Sequence, residues 1–176
     1  MTFNSTFFDF DAEEERLDEE IADLEDRIAD ADGDTATALQ AQLSKLESQR
    51  KGVVWARDRA PDSDDFAMWD EAVDGVTLGA VRASTFGNLQ NDLESDPNAG
   101  SGTSDILLVA DGTVEAPYYA EGIGGRELTG VVGKLHPWYI QWASGAIDRL
   151  MDPEGNVTSS DASPKETSTS ESSTGE

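Results

Sequence analysis

The sequence predicts a mostly helical α+β protein: an N-terminal antiparallel helical hairpin, a small α+β body and a polar C-terminal tail. Three observations carry this. Leu17, Ile21, Leu24 and Ile28 recur at spacings of 4, 3 and 4, and Leu39, Leu43, Leu46, Arg50 and Val53 repeat the pattern after a glycine turn. Val76 to Val81 is a run of β-branched and small apolar residues that reads as a strand. His136-Pro137 opens a stretch in which Ile140, Ala143, Ile147 and Leu150 share one helical stripe.

Taken in order, residues 1–10 form an aromatic arm with Phe3, Phe7, Phe8 and Phe10, either a short strand or a segment packed elsewhere, and Asp11 is the expected cap of the helix that follows. The hairpin spans 11–60, with its turn at Asp30-Ala31-Asp32-Gly33-Asp34. Its narrow apolar stripe suits a coiled coil that projects from the body. The body spans 62–152. Phe66, Trp69 and Val73 fit a short helix, and Ser84 or Thr85 is placed to cap a helix through Phe86, Leu89 and Leu93. Asp96 to Ser104 reads as a loop, whereas Asp105 to Ala110 is too short for periodicity to separate strand from helix. Asp111-Gly112-Thr113 reads as a turn into an extended Val114–Tyr119. Arg126 to Leu135 reads as a helix weakened by two glycines, and Pro137 starts the last one. Residues 153–176 are the tail; from 157 on, eleven of twenty residues are Ser or Thr, a composition with nothing to bury.

Charge narrows the function. Twelve Lys+Arg stand against 37 Asp+Glu, a formal net charge of −25 in 176 residues. Such a chain cannot neutralise a run of phosphates, so nucleic acid is not an expected partner, nor is an anionic membrane. Spread-out acid, only four lysines among the twelve cations and 37% hydrophobic residues resemble proteins of salt-in halophiles, where molar salt screens self-repulsion. With no cysteine and only His136, thiolate chemistry and two-histidine metal sites are excluded. No apolar run approaches the length of a membrane span, and the expectation is a soluble protein of the cytoplasm.

No motif points to catalysis or to a cofactor. Asp30, Asp32 and Asp34 suggest a calcium loop, but counting from Asp30 the glycine falls fourth instead of sixth and position twelve is Ala41, so a solvated turn is the better reading. Gly122-Ile123-Gly124-Gly125-Arg126 precedes a helix without the spacing or lysine of a phosphate loop. His136, a lone histidine at a helix boundary, lacks a nucleophile motif to serve, and a structural role is preferred. The aromatic residues Trp138, Tyr139 and Trp142 admit two readings: the buried face of the last helix, or an exposed anchor for a protein partner. The hairpin stripe of Leu17, Ile21, Leu24 and Ile28 is the second candidate partner surface, for another protein or for a homo-oligomer.

The stretch Val76 to Leu89 (VTLGAVRASTFGNL) resembles the strand-then-helix unit, of type V-T-L-x-x-L-T-x-x-E-F, near the start of tail assembly chaperones of long-tailed viruses. Leu107 to Pro117 (LLVADGTVEAP) is similar to that family's passage of a hydrophobic run, G-x-x-x-x-P, then a short helix, a break and a closing amphipathic helix. Here these would be Leu128–Leu135, His136-Pro137 and Trp138–Leu150. The likeness covers about 76–150, and small acidic proteins with such a helical-hairpin preface look like those of tailed viruses and proviruses of halophilic archaea; the preceding hairpin departs from the compact family pattern. The resemblance implies a non-enzymatic protein that keeps tape-measure or tail-tube protein soluble in the host cytoplasm, in some members with a frameshifted longer form. The alternative is a structural component of the virion, a connector or minor tail protein, oligomerising through the hairpin.

Folding is expected to require salt. Circular dichroism and thermal melts should show loss of structure in dilute buffer and recovery in molar KCl; full cooperative stability at low ionic strength would contradict the screening argument.

Overall fold

Phe7 and Phe8 point to opposite sides of a strand, because side chains alternate along extended backbone. In the computed structural model, which describes residues 2–62, 69, 71–95, 100–120 and 122–152, the aromatic arm is this strand, β1 (Thr2–Asp9). It pairs antiparallel with β2 (Gly75–Val81), with Phe8 opposite Val76 and Phe7 opposite Thr77. The register slips between Phe3 and Ser5, where Asn4 takes φ 55°. Strand β3 (Thr113–Glu115) completes a three-stranded antiparallel sheet in the order β1-β2-β3. The remaining elements are α1 (Phe10–Ala29), α2 (Gly33–Asp58), a 3₁₀ turn (Ala60–Asp62), α3 (Ala83–Ser95), α4 (Ser101–Gly112), α5 (Arg126–Val132) and α6 (Pro137–Met151). The fold is mostly helical α+β, as expected. The expected tail and Phe66 lie outside the described residues.

Helix α1 follows β1 without a linker. Its cap is Asp9, not Asp11: the Asp9 carboxylate accepts from the Ala12 amide at 2.9 Å, and Asp11 falls in the first turn, where an acid still favours the helix dipole. At the far end α2 starts at Gly33 (φ 56°), as the turn chemistry demands. The two helices are tied by Arg50, which pairs with Asp18 and Glu14, and by Arg57, which pairs with Asp11 and Glu14. Arg50 therefore sits in the apolar stripe to bridge the hairpin, its stem covering apolar surface.

The hairpin does not project as a separate unit. Leu17 and Phe10 of α1 and Val53, Trp55 and Ala56 of α2 belong to the same buried cluster as Leu78, Val109, Val132, Tyr139, Trp142 and Ile147. The reason lies at Gly52. A Cβ there would stand 2.2 Å from the Trp138 carbonyl oxygen and 2.7 Å from the Tyr139 nitrogen, so α2 and the start of α6 meet backbone to backbone. Leu46 also packs against that cluster; only in the distal half do α1 and α2 pack on each other alone, with Leu24 and Leu39 buried and Ile21, Ile28 and Leu43 half-buried.

Elsewhere the local expectations bend to tertiary packing. Trp69 and Glu71–Asp74 are not helical; the Trp69 ring is buried among Phe10, Trp55, Tyr118 and Tyr139, and its Nε1 finds no acceptor among the described residues. Ser101–Ser104 open α4 where a loop is expected. The Thr103 amide donates to the Gly100 carbonyl at 2.9 Å, and the Thr103 hydroxyl accepts from the Gly100 amide at 3.4 Å, so Ser/Thr chemistry that marks loops here starts a helix. The ambiguous Asp105–Ala110 is its continuation, and Asp111-Gly112 is its last turn instead of a free turn. Ser84 and Thr85 fall inside the first turn of α3, which starts at Ala83, instead of capping it. Helix α5 stops at Val132, three residues short, and Lys134 and Leu135 turn back onto Val131 and Val132. Beneath the sheet, a chain of buried hydroxyls runs from Tyr139 to Tyr118 (3.1 Å), to Thr113 (3.0 Å) and into the Val109 carbonyl (2.7 Å), satisfying each group.

Gly52→Ala should cost about 2–3 kcal/mol, because the clashing atoms are backbone and cannot swing away. Gly87→Ala, in α3 with open space around its Cβ, should instead stabilise by about 0.5–1 kcal/mol. Thermal melts of both variants in molar KCl check the pair.

Candidate functional site

Helix α6 decides which aromatic residues reach the surface. Tyr139, Trp142, Ala143, Ala146 and Ile147 face the body and are fully buried, whereas Trp138, about 100° around the helix from Tyr139, is 41% exposed. Tyr139 and Trp142 are therefore core residues and cannot serve as partner anchors. The same correction holds for Leu17, which has no exposure, and for Leu24, which is 8% exposed; Ile21 and Ile28 keep partial exposure near the hairpin turn.

Trp142 is held by charge as well as packing. Glu13, only 8% exposed, accepts at Oε2 from Trp142 Nε1 (2.9 Å), Arg149 (3.0 Å) and Arg16 (2.9 Å), and at Oε1 from Arg16 Nε (3.2 Å). Burial pushes this carboxyl up, but the hydrogen bonds from Arg16 and Trp142 and the charges of Arg149 and Arg16 outweigh it and hold it below its ordinary value of 4.5. Arg149 lies in turn over the Phe8 ring at 5.8 Å. One carboxylate thereby joins α1 to α6 and, through Arg149, to β1.

The exposed Trp138 opens onto a cleft. Because α2 crosses the start of α6 at Gly52, the α2 segment from Arg50 to Arg59 lies beside His136 and Trp138. Between them is an open cleft of about 340 Å³ lined by Arg50, Lys51, Val54, Trp55, Arg59, His136 and Trp138. Its floor is apolar and aromatic. The His136 ring lies 5.4 Å from Trp55 and 4.8 Å from Trp138, and Lys51 Nζ stands over the Trp138 ring at 5.3 Å. His136 caps α6: its Nδ1 accepts from the Trp138 amide at 3.2 Å, and Pro137 occupies the first helical position. Burial lowers the His136 pKa, which keeps the ring neutral at pH 7 and preserves Nδ1 as an acceptor.

The rim is cationic. Arg50 is committed to Asp18 and Glu14, but among the described residues no acid pairs with Lys51 or Arg59. In a chain of net charge −25, two exposed cations that form no ion pair among the described residues stand here beside an exposed tryptophan. Sequence reasoning missed this site, although a signal exists: four of the twelve Lys and Arg fall within residues 50–59, around Trp55. Among the described residues no group of three or more acids or histidine converges to hold a metal, Asp30, Asp32 and Asp34 included, and no helix is long and apolar enough to cross a membrane.

Comparison with known protein families, curated proteins and solved structures finds no match to this chain.

Glu13→Gln should lower stability by about 2–3 kcal/mol at pH 7, since the arginines lose their anion. The folded carboxyl titrates below the unfolded one, so the wild-type advantage is present above pH 4.5 and vanishes as pH falls through the folded pKa. Parallel denaturant titrations of both proteins from pH 7 to pH 3 measure the narrowing gap.

Proposed function

We propose that this protein is a non-enzymatic partner-binding protein of virus tail assembly, one that holds tape-measure or tail-tube protein soluble in a high-salt host cytoplasm. The observation that carries the binding role is the open cleft with Trp138 exposed at its mouth, since tryptophan and arginine are the residues that anchor protein interfaces. Tail assembly is what the sequence resemblance adds. The order that carries it runs through β2 and α3, the end of α4 with β3, and the closing α6 after Pro137. The acidic remainder of the surface keeps such a protein from associating non-specifically.

A second reading, a virion component that oligomerises through the hairpin, is favoured by the half-buried Ile21, Ile28 and Leu43 on the distal half of α1 and α2. The two readings use different surfaces, so one pair of variants separates them. Trp138→Ala, at an exposed position, should leave the melting temperature nearly unchanged and abolish co-purification with the co-expressed tape-measure or tail-tube protein. Leu24→Asp should destabilise the hairpin by a few kcal/mol through a charge buried without a partner. Retained partner capture by a folded Trp138→Ala, together with conversion of an assembly to folded monomers by Ile28→Asp at the half-buried hairpin surface, would replace the first reading with the second.

A further inference from the structure

We propose that the Trp138 cleft recognises an acidic peptide segment of the partner, with two carboxylates flanking an apolar side chain; this rests on the partner-binding reading above. Lys51, Trp55 and Arg59 stand four residues apart along α2 and its cap, which places them on one side of the helix. Lys51 and Arg59 are thus about 12 Å apart along the helix axis. That span is too long for one small carboxylate or phosphate to bridge. It matches residues i and i+4 of an extended peptide, about 13 Å apart and on the same face, with residue i+2 between them. The aromatic floor of Trp55 and Trp138 lies where that middle side chain would enter. Charge decides the polarity of the partner. Arg50 already has its acids, whereas among the described residues Lys51 and Arg59 form no ion pair, Asp58 feeling the Arg59 charge without pairing with it, so a ligand with acids at both ends fits the cleft better than a basic one. His136, neutral and turned to its own helix, adds no competing charge. Both cations are exposed, so their pairing with the peptide weakens as salt rises, while burial of the middle side chain does not.

The test uses a fluorophore-labelled, capped peptide of sequence Glu-Ser-Phe-Ser-Glu, flanked by glycines and titrated against the full chain in molar KCl by fluorescence anisotropy. Two companion peptides replace both glutamates by glutamine or the phenylalanine by alanine. The acidic phenylalanine peptide should bind, and either companion should bind about ten-fold more weakly or worse. Arg59→Gln and Lys51→Gln, both exposed, should each weaken the first peptide about ten-fold while leaving the glutamine peptide unaffected. Equal binding of the glutamine and glutamate peptides, lost in Trp138→Ala, would overturn the acidic specificity and leave the cleft as a partner site. Failure of all three peptides to bind would overturn both. Concentration-dependent dimers that Arg59→Gln dissolves, with no peptide bound, would seat the acidic α1 of a second copy in the cleft and overturn the partner segment.

Discussion

Backbone contact between α2 and α6 at Gly52 is the constraint on which the rest of the structure depends. It draws a helix of the hairpin into the body, so that the apolar residues of α2 beyond Gln49 bury against α6 and the aromatic cluster instead of against a second chain. The same crossing sets the first turn of α6 beside the cationic stretch of α2, and the cleft is the space left where the helices diverge. Core and candidate site are two sides of one contact.

Around that contact the molecule distributes its charge by depth. The buried carboxylate of Glu13 is fully hydrogen-bonded and surrounded by cations, which is the condition for keeping a charge inside. The hairpin arginines Arg50 and Arg57 each bridge acids of α1, so much of the scarce positive charge is spent neutralising the nearest acids. Their pKa values are raised, Arg50 first through Asp18 and Arg57 first through Asp58, as donors to carboxylates. These pairs are partly exposed, and each contributes a fraction of a kcal/mol that molar salt reduces further. Apolar packing around the aromatic cluster therefore carries the fold.

Periodicity made the hairpin, β2 and α6 legible, since each is a long or clean pattern: the turn at Gly33, the strand at Val76–Val81 and the proline start at Pro137 all stand where the residues place them. What could not be read was decided at a distance. The role of Gly52 depends on a helix that begins 85 residues later, and nothing local distinguishes it from a glycine that merely weakens α2. Trp69 gives up a helical pattern to fill a gap between Phe10 and Tyr139. For α6, the stripe of apolar residues was visible, but that Trp142 is buried beside it depends on Glu13 of α1, and that Trp138 is exposed depends on where α2 crosses. The cleft was missed because its cations belong to α2 and its exposed ring to α6, and a search along the chain looks at each alone.

The placement of β1 bears on the order of folding. Its partner β2 lies beyond the whole hairpin, and Asp9 pairs with Gly75 across more than sixty intervening residues. An unstructured loop of that length would make closure slow. The hairpin removes the difficulty, because an antiparallel pair of helices carries the chain out and returns it near its own start. Of the three strands of this sheet, the one synthesised first thus waits longest for its neighbour, and the local assembly of α1 with α2 delivers the two to each other.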